Sequence, residues 1–304
     1  MKVAVVTGAT SFIGAPLVEK LSKNYFVYAI IRPSSKNIKN LTLNENIKII
    51  ECDLNNYSEL EKKILCHCDV FYHIAWNGTR VPERDNAELQ DKNYKSSIVA
   101  YNAAKTLGCN CFISIGSQAE YGKCEDIIRE NYPCSPITEY GKAKLKVYQE
   151  LKKRSSQDHI KFAWIRIFSA YGPNDYENSL ISMCINRMKK NEDVFLTKGN
   201  QMWNYIYIED IVNILILLDN KTNYRNEVFN VCSLDTRSIK DFVEEIKNII
   251  GSKSNLYYGA KEYNSSEGII NLFPDCSKLI NMLKYKNFVS FSDGIKQTID
   301  YMSK

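Results

Sequence analysis

Short apolar runs alternate with helical patterns through the first half of the chain. Candidate strands span residues 2–6, 26–31, 47–51, 70–74, 111–115 and 162–167. Several of them, such as Val3-Ala4-Val5-Val6, are apolar at nearly every position, so they are expected to be buried on both faces. Between them, apolar residues recur at helical spacing over 13–22, 58–65, 85–107 and 139–153. This alternation predicts an α/β fold with a doubly wound parallel sheet. After Arg166 the rhythm changes, with helical patterns at 180–189, 210–218, 239–250 and 293–302 separated by short strands and Asn/Ser/Gly-rich connections. The expected organisation is a first domain over 1–167 and a smaller C-terminal α/β domain over 168–304. Residues 204–232, with strand candidates at 205–208 and 228–231, are a candidate return to the first domain.

Composition narrows the class. Hydrophobic residues make up 44% and charged residues 25% of the 304, which is ordinary for a soluble globular chain and excludes disorder. No apolar run approaches the roughly 20 residues of a membrane helix, and the first residues carry no cleavable hydrophobic segment, so a cytoplasmic protein is expected. The net charge of +5 is scattered, which argues poorly for a nucleic-acid partner. Ten cysteines include no Cys-x-x-Cys, and Cys66-His67-Cys68 lacks a second ligand pair. Free thiols and no metal are expected.

Strand, glycine turn and helix follow one another at the start: residues 3–6, then Thr7-Gly8-Ala9-Thr10-Ser11-Phe12-Ile13-Gly14, then 15–22. A dinucleotide pyrophosphate needs this arrangement, because backbone amides and a helix N-terminus must approach it closely. Two glycines alone also fit a plain strand-to-helix turn; their place after the first strand favours binding. The turn resembles the opening of an extended short-chain dehydrogenase/reductase of the sugar-nucleotide epimerase/dehydratase/reductase family. That family usually carries glycine where Ser11 stands, so the backbone at Ser11 is expected to accommodate a Cβ.

Nucleotide folds that prefer NAD place an acid at the end of the second strand, on the ribose hydroxyls. Here Ile31 occupies that place and Arg32 follows. An arginine there suits a 2′-phosphate, so NADP (as NADPH) is expected over NAD. The resemblance implies further cofactor contacts from Asp53-Leu54 and from Ile74-Ala75, with His73 as lining. It also implies that Asn93 supports a catalytic lysine.

Tyr140 and Lys144 stand at i and i+4, on one helical face, where a cation favours phenolate. The spacing is cheap: chance gives about two such pairs in a chain this rich in tyrosine and lysine. Tyr101/Lys105, Tyr148/Lys152 and Tyr257/Lys261 share it. Context selects Tyr140, which opens a helix after the fifth strand and a loop containing Ser117-Gln118-Ala119-Glu120-Tyr121-Gly122. By resemblance Ser117 holds the substrate oxygen, Tyr140 moves the proton, and Lys144 binds the nicotinamide ribose and depresses the tyrosine pKa. Arg166-Ile-Phe-Ser-Ala-Tyr171-Gly172-Pro173 resembles the family's entry to its substrate domain. Trp203-Asn-Tyr205-Ile-Tyr207-Ile-Glu209-Asp210 resembles a later family segment, with Trp203 in place of a pyrophosphate-binding arginine. Candidates for the substrate are Gln118, Asn178, Arg187 and Trp203, with Lys198 and Arg237 as further phosphate candidates.

Dehydratases of this family carry Asp-Glu directly after the catalytic serine or threonine; Gln118-Ala119 stands here, with Glu120 one position off. The expected function is NADPH-dependent reduction of the keto group, at C4, of a nucleotide-activated deoxysugar. The alternatives are an NAD-dependent sugar-nucleotide 4-epimerase and a non-catalytic dinucleotide-sensing protein, which would be expected to lose the Tyr/Lys pair. The resemblance also implies a homodimer through the helices at 85–107 and 139–153, with Ile98, Tyr101, Leu145 and Tyr148 at the interface.

Overall fold

The structure is a computed structural model that describes residues 1–262 and 270–303. In chain order its strands and helices are β1 (Lys2–Thr7), α1 (Gly14–Leu21), β2 (Tyr25–Ile31), β3 (Ile47–Glu51), α2 (Leu60–Lys63), β4 (Val70–His73), α3 (Ala87–Thr106), β5 (Cys111–Ser117), α4 (Glu139–Asp158) and β6 (Lys161–Ile167). There follow β7 (Ser169–Tyr171), α5 (Leu180–Lys189), β8 (Val194–Leu196), β9 (Met202–Tyr207), α6 (Ile208–Asn220), β10 (Asn226–Val231), β11 (Thr236–Ser238), α7 (Ile239–Ile250), β12 (Leu256–Tyr258), α8 (Ser277–Leu283) and α9 (Phe291–Tyr301).

The chain divides into two compact units. The first comprises 1–122, 133–167 and 211–229. Its seven-stranded sheet runs β10-β6-β5-β4-β1-β2-β3, and the pairs from β3 through β6 are parallel. Burial on both faces explains the unbroken apolar runs: all of Val70–His73 and all of Cys111–Ser117 are buried. Consecutive strands advance in opposite directions from β1, so the order reverses between β1 and β4. That reversal opens a crevice at the carboxyl ends of the strands.

Helices α3 and α4 cover one part of this sheet over Phe71, Tyr101, Phe112, Phe162 and Trp164, all fully buried. Each such ring stabilises the fold by about 1.5–3 kcal/mol relative to exposure. Tyr101 was expected at a dimer interface, but it belongs to this core. Its ring meets Phe112 edge-on at 5.3 Å and its hydroxyl donates to Asp158 at 3.1 Å, which turns it away from solvent. Ile98, Leu145 and Tyr148 remain half-buried.

The second unit comprises 123–132, 168–210 and 230–304. It holds a three-stranded sheet, β11-β9-β7, and a two-stranded one, β12-β8. Of the two strands expected near residues 204–232, β10 joins the seven-stranded sheet and β9 does not. The partners of β9 are β7, parallel, and β11, antiparallel. Tyr205 and Tyr207 on β9 pack against the Tyr171 ring, and Tyr205 also meets Phe242, which fixes the strand in this unit's own aromatic core. No described helix is long and apolar enough to cross a membrane.

Candidate active site

The turn after β1 is shaped by two glycines. Gly8 has φ +67°, and a Cβ at Gly14 would lie 2.1 Å from the Gly8 carbonyl oxygen, so α1 can start only where that residue has no side chain. Ser11 accommodates its Cβ without a positive φ. Its hydroxyl accepts the Gly14 amide at 3.0 Å and so caps the helix start. The amides of Phe12 and Ile13 have no hydrogen-bond partner among the described residues. Thr10 joins its hydroxyl to that of Ser35 at 3.2 Å, beyond the end of β2. These donors at a helix N-terminus fit an anionic diphosphate.

Behind the turn, Thr7 Oγ1 accepts the amides of Ile74 and Ala75 and meets His73 Nδ1 at 2.9 Å. His73 Nε2 meets the Ser97 hydroxyl at 3.0 Å. Burial pushes this imidazole down to about 3, so it stays neutral and serves as a link between β1, β4 and α3. Asn93 clamps the Asn77 peptide, accepting its amide at 3.0 Å and donating to its carbonyl at 2.8 Å. It makes no hydrogen bond to Lys144; its support goes to the segment after β4. Asp53 accepts the amide of Asn55 at 3.0 Å beside buried Leu54, just past β3. Arg32 is exposed after β2 and forms no ion pair among the described residues.

The three candidate catalytic residues converge. Ser117 ends β5, and Tyr140 and Lys144 lie on the first turns of α4, whose Thr138 cap accepts the Gly141 amide at 3.1 Å. All three are buried, at 8%, 9% and 3% exposure, so water competes little for their protons. Lys144 Nζ donates to the Ile115 carbonyl at 2.7 Å and lies over the Trp76 ring. Burial lowers its pKa to about 7, opposed by the charge of Glu120. The expected depression of the Tyr140 phenol is not what the structure shows. Burial raises it, while Ser117 and the Arg84 guanidinium, 5.3 Å from the ring centre, pull the other way. Desolvating a phenolate costs more than these neighbours return.

Glu120 is fully buried and accepts from the Ser117 amide, the Trp164 indole and Arg166. It is therefore occupied structurally and does not supply the acid of an elimination. Trp76, in the segment after β4, and Arg84, on the short 3-10 turn Glu83–Asp85, also reach the site and match no spacing rule in the sequence; Trp76 stacks edge-on with Tyr140 at 5.9 Å.

In the second unit, Arg237 pairs with Asp235 at 3.1 Å and with Glu245, which neutralises it as a phosphate ligand. Arg187 donates to the Asp193 carbonyl at 2.8 Å, Trp203 donates to the Ser169 hydroxyl at 2.7 Å, and Asn178 donates to Tyr176 at 3.2 Å. Lys198 is exposed. No group of three or more metal-ligating side chains occurs among the described residues.

The profile of the NAD dependent epimerase/dehydratase family matches residues 4–232. A CDP-abequose synthase from Yersinia pseudotuberculosis is 25% identical over 304 residues, covering 97% of each chain. The structure of a UDP-N-acetylglucosamine 4-epimerase from Methanobrevibacter ruminantium M1, in complex with UDP-N-acetylmuramic acid, is similar at TM-score 0.90 and 25% identity, over 99% of this chain and 98% of that one. A UDP-glucuronic acid 4-epimerase from Bacillus cereus, in complex with UDP-glucuronic acid and NAD, is similar at TM-score 0.85 and 26% identity, over 99% of both chains.

Proposed function

Because this chain belongs to the NAD dependent epimerase/dehydratase family, we propose that it is an NAD-dependent sugar-nucleotide 4-epimerase. The observation that carries this reading is the buried Ser117–Tyr140–Lys144 group beside a glycine turn fit for a dinucleotide, with the nearby carboxylate, Glu120, already consumed. Such a site can exchange a proton and a hydride at a carbinol carbon, and it lacks the extra acid and base that loss of water needs. Similarity to 4-epimerases over nearly the whole chain, one of them holding NAD, supports the same choice.

The glycine turn with Thr10, Ser11, Phe12, Ile13 and Gly14 would hold the diphosphate of NAD. Asp53, Leu54, Ile74 and Ala75 would line the adenosine and nicotinamide portions. When bound, the nicotinamide supplies a hydride acceptor and donor. The Tyr140 phenolate takes the sugar's hydroxyl proton and the phenol returns it. Ser117 orients the reacting oxygen, and Lys144 binds the nicotinamide ribose and places a positive charge beside the phenol. Gln118, Asn178, Arg187 and Trp203 are the proposed substrate contacts.

Arg32 favours a second reading, net reduction of a 4-keto sugar nucleotide with NADPH, because an exposed guanidinium stands where NAD-preferring folds place an acid. One experiment separates the two. The dinucleotide retained on purified protein is identified by mass spectrometry, and hydroxy and 4-keto sugar nucleotides are then assayed by NMR. Conversion of a hydroxy sugar without added cofactor is the expected result. Stoichiometric consumption of added NADPH with a 4-keto sugar would replace it with the reductase. A homodimer through α3 and α4 completes the proposal and is read by sedimentation.

A further inference from the structure

The carboxylate of Glu120 receives three donors inside the first unit. The Ser117 amide donates to Oε1 at 2.9 Å, the Trp164 indole donates at 2.9 and 3.1 Å to the two oxygens, and Arg166 Nε donates to Oε2 at 2.8 Å. Glu120 is 0% and Arg166 2% exposed. A buried pair of this kind is poor evidence of stability, since apolar residues could fill the same space, so its presence calls for another reason. The backbone makes room for it: a Cβ on Gly116 would fall 2.6 Å from Glu120 Oε1 and 2.3 Å from Trp164 Nε1. The beneficiary is Ser117, the last residue of β5, whose amide is fixed from one side while its hydroxyl accepts the Ala119 amide at 3.2 Å. Together these bonds form a capping box over the short 3-10 turn of Gln118–Glu120.

We propose that Glu120, braced by Arg166 and Trp164, is a positioning residue that sets the direction of the Ser117 hydroxyl, with its charge on Lys144 as a lesser effect. This rests on the role proposed above for Ser117. Arg166 on β6 anchors the carboxylate from the neighbouring strand. The serine at the end of β5 is thereby held by the sheet and not by its loop alone.

The test uses the full chain with its retained dinucleotide and the sugar nucleotide that wild type turns over. Glu120→Gln is expected to lower kcat roughly ten- to a hundredfold, as a misdirected reacting group does, with KM changed less than about twofold. Added to Ser117→Ala, the same change is expected to cause no more than about a threefold further loss in kcat, because both act mainly at one hydroxyl and only the charge on Lys144 is left to change. Losses that multiply would overturn the proposal. Amide hydrogen exchange provides a readout that needs no substrate: Ser117 is expected to exchange at least about tenfold faster in Glu120→Gln, with Ile113 on the same strand unchanged. If wild type turns over no sugar nucleotide, the functional reading falls and the exchange rates still decide this one; unchanged Ser117 protection overturns it. Should Glu120→Gln fail to fold for want of a partner for Arg166, Glu120→Gln/Arg166→Met removes both charges and takes the same measurements.

Discussion

Lys144 and Trp76 meet with the ammonium over the indole: Nζ lies 3.6 Å from the ring centre. Both the ring and the Ile115 carbonyl, at 2.7 Å, favour the charged form. Neither replaces the water lost on burial, which is why the amine titrates at about 7 in place of its ordinary 10.5. The site thus holds a lysine whose charge changes near neutral pH.

That depressed pKa makes a stability prediction. The fold favours the neutral amine, so its contribution is complete above pH 10.5 and is lost as pH falls from there to about 7. For cofactor-free protein, Lys144→Met is expected to gain in melting temperature over wild type as pH is lowered through that window. The difference should level off below it, at roughly 3–5 kcal/mol. A difference independent of pH, measured by thermal melts, would contradict the assignment.

His73 predicts a loss in acid. Its folded pKa of about 3 lies below the ordinary 6.5, so its stabilisation is present above pH 6.5 and disappears between there and 3. His73→Phe removes the imidazole's hydrogen bonds to the Thr7 and Ser97 hydroxyls, which keep their backbone partners, so it should cost about 1–3 kcal/mol at pH 7. It should also flatten the fall in stability below pH 6.5. Denaturant titrations across that range check both effects.

Tyr140→Phe keeps the ring against Trp76 and removes the proton carrier. Turnover is expected to fall by roughly 10²–10⁴, with folding and dinucleotide retention unchanged. Parallel loss of the bound dinucleotide would mean that the hydroxyl serves binding instead.

Gly14→Ala would push a methyl group into the Gly8 carbonyl, backbone against backbone. It should destabilise the first unit by about 1–3 kcal/mol or more and abolish dinucleotide retention. Mass spectrometry of the purified variant reads the second effect directly, and full retention would remove the turn from the proposed site.

Local features were legible in the sequence because local forces produce them. The apolar runs at 47–51 and the helical patterns at 180–189 and 239–250 coincide with β3, α5 and α7, since periodicity records which faces are buried. The glycine turn was readable because a short backbone path can be made in few ways, and Tyr140/Lys144 because one helix sets their spacing. Tertiary structure alone decided what depends on distant partners. Glu120 was visible only as a misplaced acid until β6 brought Arg166, 46 residues away, to its carboxylate. Tyr101 belongs to the core and not to an exposed face because Asp158 and Phe112 receive it. Burial also reversed the expected direction of the Tyr140 shift, because desolvation depends on everything packed around a group, whereas sequence spacing names only its neighbours along the helix.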